Sequence, residues 1–165
     1  MNKQIAAPIA AAVLMALSGT AGSAERSTTL NVSATVTTNC AISAGAIDFG
    51  VFDGANDVTR TSTIAVRCTN GTPFNVNLST GNSGDFTARE LRSGADALVY
   101  NLYTSGTFGT VWGDATGATG RLGGTGGGMG SARNLTVHAR LRAQDNQGDF
   151  DTGTYTDVVT ATVVY

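Results

Sequence analysis

Alternation of apolar and polar residues with a period of two recurs along this 165-residue chain and confines it to β-structure. Successive side chains of an extended strand point to opposite faces, so this period sets one row against a core and the other in water. Near the N-terminus, Leu30, Val32, Ala34 and Val36 share one face, and Thr29, Asn31, Ser33, Thr35 and Thr37 take the other. Ile64, Val66 and Cys68 repeat the pattern, as do Phe74, Val76 and Leu78, then Leu135, Val137, Ala139 and Leu141. Beyond residue 24 no segment sustains a helical period. The pattern predicts strands at 29–37, 40–43, 46–51, 62–69, 73–80, 97–104, 134–142 and 155–165, separated by Gly, Asn and Asp clusters that suit turns with positive φ. Residues 84–92 fit either a helical turn or an irregular connection. Short alternating strands in a chain of this size predict an all-β sandwich.

Residues 1–24 have the form of a signal peptide. Lys3 and the amino terminus supply positive charge, Ile5 to Leu17 form an apolar run, and Gly22-Ser23-Ala24 offers small residues for cleavage. The run is short for a membrane span and polar Ser18-Gly19-Thr20 follows it, which disfavours the alternative of an uncleaved anchor. Cleavage would leave roughly 140 residues, one domain's worth, without room for a second, receptor-binding domain. The formal net charge is −2 and Lys3 is the only lysine, a balance that argues against nucleic acid or an anionic membrane surface as partner.

Two cysteines in an exported protein point to one disulfide, Cys40–Cys68. Closing that loop would stabilise the fold by about 3.6 kcal/mol in the chain-entropy treatment. The alternative, metal-binding or redox thiols, has no CxxC pair and only one histidine to draw on.

The last stretch, Tyr155 to Tyr165, carries apolar groups on both faces: Val159, Ala161, Val163 and Tyr165 on one, Val158 and Val164 on the other. Such patterning is expected of a strand buried on both sides. The sequence ends there with no following strand to cover the edge, and a bare apolar edge invites association. Another segment is therefore expected to cover it.

The remaining motifs favour no catalytic chemistry. Gly117 to Gly130 contains eight glycines but neither GxGxxG nor GK[ST], and is expected to be a flexible surface loop. The acids of 145–151 would need Gly and Glu at the sixth and twelfth positions of a calcium loop, where Phe150 and Thr156 stand. A solvated hairpin turn is the expectation, with weak incidental calcium binding the alternative. His138 lies opposite the Val137 face with no GxSxG partner, an ordinary sheet-surface residue. Trp112 and Phe108 suit packing over a sandwich end better than an exposed binding patch. The sequons at Asn31, Asn70, Asn77 and Asn134 are what chance gives in a chain so rich in Asn and Thr. No enzyme, cofactor or metal site is expected.

Taken in order, these features make the chain resemble the spore coat protein U domain family, which includes subunits of archaic chaperone–usher pili. They are the alternating N-terminal strand, Cys40, Ile47-Asp48-Phe49-Gly50 and Cys68-Thr69-Asn70-Gly71. Next come Tyr100-Asn101-Leu102-Tyr103, Trp112-Gly113-Asp114, and Gly153-Thr154-Tyr155-Thr156-Asp157 before the terminal β run. The likeness spans residues 28–165 and departs at the glycine-rich 117–130 loop. It implies an incomplete immunoglobulin-like β-sandwich completed by a donated strand, with a signal peptide at 1–24, a donor segment at 25–38 and the body at 39–165. A periplasmic chaperone would lend the strand first, and at an outer-membrane usher a neighbouring subunit's N-terminal segment would replace it by β-strand addition. The implied donor residues are Leu30, Val32, Ala34 and Val36. The implied acceptor groove includes Val159, Ala161, Val163 and Tyr165. The expected role is a structural subunit of a surface fibre serving attachment and biofilm formation. The competing expectation is a self-complemented coat or matrix protein, and a secreted enzyme or lectin resting on Trp112 and the acidic turn has less support.

Overall fold

The computed structural model describes residues 22–165. All but the last three residues of the expected signal peptide lie outside that range. The chain divides into Met1–Thr35 and Val36–Tyr165. In the first unit, residues 22–35 carry neither helix nor strand and are exposed throughout.

The second unit is all-β. Its strands are β1 (Cys40–Ala44), β2 (Val58–Cys68), β3 (Pro73–Leu78), β4 (Arg89–Ser93), β5 (Asp96–Tyr103), β6 (Leu122–Thr125), β7 (Arg133–Leu141) and β8 (Ala161–Val164), with one 3-10 turn at Ala143–Asp145. They form a five-stranded sheet in the order β1-β2-β7-β5-β4 and a three-stranded sheet in the order β6-β3-β8. Every paired strand is antiparallel. The alternating rows meet between the sheets. Ile64, Val66 and Cys68 of β2, Phe74, Val76 and Leu78 of β3, Leu98, Tyr100 and Leu102 of β5, and Val137, Ala139 and Leu141 of β7 are all buried in one core with Trp112.

Register defines two poles. Val66 faces Arg133 and Val58 faces Leu141 at the two ends of the β2–β7 ladder. Cys40 lies opposite Cys68 and is bonded to it, so the disulfide, the Thr69–Thr72 turn and the start of β3 mark one pole. The starts of β2 and β5 and the end of β7 mark the other.

Several expectations need correction. Residues 29–37 form no strand, because a ladder needs a partner and the described chain offers them none. Residues 46–51 are not a strand either, since the Asp48 and Phe49 carbonyls accept from the Arg60 side chain instead of a neighbouring backbone. Strand 155–165 shortens to Ala161–Val164 and is half-buried on one face only, with Val158 at 73% and Val164 at 48% exposure. The glycine-rich 117–130 segment is not wholly loop. It carries β6, whose Gly123 lies so close to β3 that a Cβ there would meet the Phe74 carbonyl at 2.4 Å. Residues 84–92 contain most of β4. The 145–151 turn is partly internal, because buried Asn146 pairs its side-chain amide with both backbone groups of Val99.

One polar side chain ties the sheets together. Arg89 on β4 is fully buried and donates to the Ser79 carbonyl twice (3.0 and 2.8 Å), to the Trp112 carbonyl (2.7 Å) and to Asn101 Oδ1 (2.6 Å). Ser79 immediately follows β3, so the guanidinium reaches from the larger sheet to the smaller. Trp112 has no exposed surface, and its indole N–H donates to the Val76 carbonyl at 2.8 Å.

Candidate functional site

Two strand edges face a gap. β1 is an outer strand of the larger sheet and β8 an outer strand of the smaller, and the two lie near each other across the core. Between them a cavity of 340 Å³ reaches down to Ile64, Leu78, Tyr100, Leu102 and Val137. A second cavity, of 460 Å³, continues it towards the pole away from the disulfide, bounded by Ile47 to Phe52 on one rim and Phe150 to Tyr155 on the other. Ile47, Phe49 and Leu91 line both. Together they make a trough along the seam of the sandwich, mainly apolar between β1 and β8 and mixed at the far pole, where Asp48, Asp151, Thr152 and Thr154 join the lining.

Each rim is shaped by identifiable residues. β1 stops where Gly45 passes Ser62, whose Oγ would lie 2.8 Å from a Cβ. Beyond it, Asp48 Oδ1 accepts the Gly50 N–H at 2.8 Å, and Gly50 turns the chain at φ +75°. This turn sends Phe49 inward, where its ring meets the edge of Tyr100 at 5.8 Å. Phe52 of the same rim packs on Phe150 across the trough, with ring centroids 5.9 Å apart.

The opposite rim is extended but scarcely paired until β8. Thr156 exchanges two backbone hydrogen bonds with Arg92, and Thr160 bonds to Ser79. Between those points Asp157 holds the chain: Oδ2 accepts from Tyr100 Oη at 2.6 Å, and Oδ1 accepts the N–H groups of Asn82 and Val158. Burial, and then the bond to Asp157, push the Tyr100 phenol far above its ordinary pKa. Gly81, at φ +68°, has no room for a Cβ, which would fall 2.0 Å from Asp157 Oδ2.

The expected site residues fall into two sets. Val159, Ala161 and Val163 are half-buried in one inward row against the core, Val159 just before β8 and the other two on it. Val159 and Ala161 line the 340 Å³ cavity and Val163 continues the row beyond it. Tyr165, just past β8, is 57% exposed. Leu30, Val32 and Val36 are 86%, 85% and 83% exposed, and Ala34 is exposed as well. Sequence reasoning missed the other rim. Ile47, Phe49 and Phe52 line the trough, and the apolar alternation across Ile47-Asp48-Phe49 was the available signal. Arg60, which pins that rim, and Asp157, which anchors its partner, carry no period that would reveal them. Among the described residues no cluster of three or more His, Cys, Asp or Glu is arranged to hold a metal ion. No described helix is long and apolar enough to cross a membrane.

Residues 26–162 match the Spore Coat Protein U domain. The chain belongs to that family. A solved neighbour of this spore coat U domain is a chain in the crystal structure of the CsuC–CsuE chaperone–tip adhesion subunit pre-assembly complex from archaic chaperone–usher Csu pili of Acinetobacter baumannii. The similarity has a TM-score of 0.55 and 25% sequence identity, covering 79% of the present chain and 40% of the neighbour. The spore coat U domain thus spans well under half of that neighbour's length. No curated protein matches it in sequence.

Proposed function

We propose that this protein is a non-enzymatic structural subunit of an exported surface pilus. In this reading the seam between β1 and β8 receives the N-terminal segment of a neighbouring copy as a donated strand. The observation that carries it is the apolar trough between two edge strands in a chain that also exposes an alternating apolar segment. Leu30, Val32, Ala34 and Val36 are the knobs, and the row Val159, Ala161, Val163 forms one wall of the groove. The signal peptide 1–24 directs export, residues 25–38 form the donor and 39–165 the body. A periplasmic chaperone occupies the groove before assembly, and exchange takes place at an outer-membrane usher.

The dimensions agree. From Leu30 to Val36 an extended chain spans about 20 Å, and the acceptor rim from Asp157 to Val164 about 23 Å. Four modest apolar side chains at roughly 1–2 kcal/mol each supply several kcal/mol before ordering costs. Backbone pairing along the edge adds about 0.5–1.5 kcal/mol net per hydrogen bond. Because donor and acceptor belong to the same chain type, the contact is head-to-tail and propagates.

Deleting residues 25–36 tests this. The expected product is a chaperone-bound monomer that forms no fibres under electron microscopy, and normal fibres from it would sink the proposal. A full-length chain that refolds into a stable lone monomer, and stays one at high concentration, would point instead to the self-complemented coat or matrix protein.

A further inference from the structure

The 460 Å³ cavity lies beyond the stretch that the four donor knobs would cover, since Leu30 to Val36 match Asp157 to Val164 in length and this cavity is bounded by Phe150 to Tyr155. Its mouth carries Val51, at 93% the most exposed large apolar side chain among the described residues. The opposite pole carries another exposed apolar residue. Met129 is 41% exposed in a loop fastened over the disulfide, with Gly128 N–H donating to the Cys68 carbonyl at 3.1 Å and Gly126 N–H to the Thr72 carbonyl at 2.8 Å. The root of the N-terminal segment sits at the same pole, because the Asn39 carbonyl accepts the Thr69 N–H at 2.9 Å.

We propose that Met129 of one subunit seats in the cavity beside Val51, Phe52 and Phe150 of the next, as a second contact between copies of this chain. The inference rests on the strand-donation reading and goes beyond it. A donor whose root faced the acceptor's own disulfide pole would bring two such poles together, where each chain donates to the other and the pair closes as a two-fold dimer. An open fibre requires the root pole to meet the cavity pole. Only Thr37, Thr38 and Asn39 separate the last knob from β1, and the four steps from Val36 to Cys40 reach at most about 14 Å. The Met129 loop of the donor is thereby held against the cavity mouth of the acceptor. A flexible thioether adapts its shape to the gap it fills.

The test is the full chain carrying Val51→Cys and Met129→Cys together, assembled with its chaperone and usher and oxidised mildly. Both positions are exposed, and peptide mapping verifies that Cys40–Cys68 stays paired. On heating in detergent without reductant, the double variant should run as a covalent ladder and each single variant as monomer. Fibres of normal yield without a ladder would overturn this contact while leaving strand donation intact. Failure of the parent chain to form fibres at all would overturn both. In a second arm, Met129→Asp fibres should come apart about tenfold faster than the parent, as expected for a lost buried methionine. Met129→Leu should restore the parent rate, and equal rates for all three would count against the contact.

Discussion

Replacing Arg89 with methionine should remove a large share of this domain's stability while hardly changing its volume. The guanidinium is fully buried and is the donor to the Ser79 and Trp112 carbonyls, for which the structure shows no other donor. Asn101 Oδ1 would keep the Leu102 N–H as its partner. The substitution therefore orphans the buried Trp112 carbonyl and the partly buried Ser79 carbonyl, at about 1–3 kcal/mol each with the second towards the low end. Burial draws the Arg89 pKa down from its ordinary value, a sign that holding the charge inside already costs something. Losing the charge returns part of that cost, so the net loss should be about 3–4 kcal/mol, against about 5–15 for a typical domain. With a urea slope of about 1–3 kcal/mol/M, the unfolding midpoint should fall by about 2 M. Arg89→Lys should recover less than half, because one ammonium cannot reproduce a fork that reaches three acceptors. A methionine variant whose midpoint stays within about 0.3 M of the parent would refute the idea that this residue joins the two sheets.

Other perturbations probe the seam and its supports. Val32→Asp in the full chain should put a charge into the apolar trough and lower fibre yield, and unchanged yield would remove Val32 from the donor set. Stability should fall as pH rises above about 10, where an unfolded tyrosine ionises but Tyr100 stays protonated, and Tyr100→Phe should flatten that slope by up to about 1.4 kcal/mol per pH unit. Chemical denaturation across pH 9–12 measures it. Replacing both Cys40 and Cys68 with serine should cost about 3.6 kcal/mol by loop entropy, read as a lower melting temperature at unchanged secondary structure. Gly81→Ala should displace Asp157, strain a left-handed turn and loosen the groove rim, seen as faster amide exchange at Asn82 and Val158.

The central strands were legible because their rows are strictly alternating and buried on one side: β2, β3, β5 and β7 lie within a few residues of their predicted positions. The edges were harder to read. β4 is Arg-Glu-Leu-Arg-Ser, whose charges suit a sheet margin and hide the apolar row. β6 is Leu-Gly-Gly-Thr, which reads as loop because glycine has no side chain to show a face. In 29–37 the alternation is as clean as in β2, yet no ladder forms there. Period two reports which faces a segment can present. Whether it is paired depends on a partner that the pattern does not contain. At the site, the terminal row was visible from Val159, Ala161 and Val163, whereas Arg60 and Asp157 act through hydrogen bonds of one side chain without any repeat.

That division explains how an apolar trough can persist in a folded domain. Apolar walls alone would be drawn together, since closing the seam would remove their surface from water. What opposes closure here is polar. Arg60 fixes one rim by taking the Asp48 and Phe49 carbonyls, and its geometry leaves Phe49 standing on Tyr100 instead of sliding towards β8. Asp157 fixes the other by accepting from Tyr100, Asn82 and Val158 at once. Collapse would have to break these bonds and leave buried groups such as the Tyr100 hydroxyl unpaired, at about 1–3 kcal/mol each. The groove is thus held open by hydrogen bonds to its rims, while its floor keeps the apolar surface that a donated strand would cover.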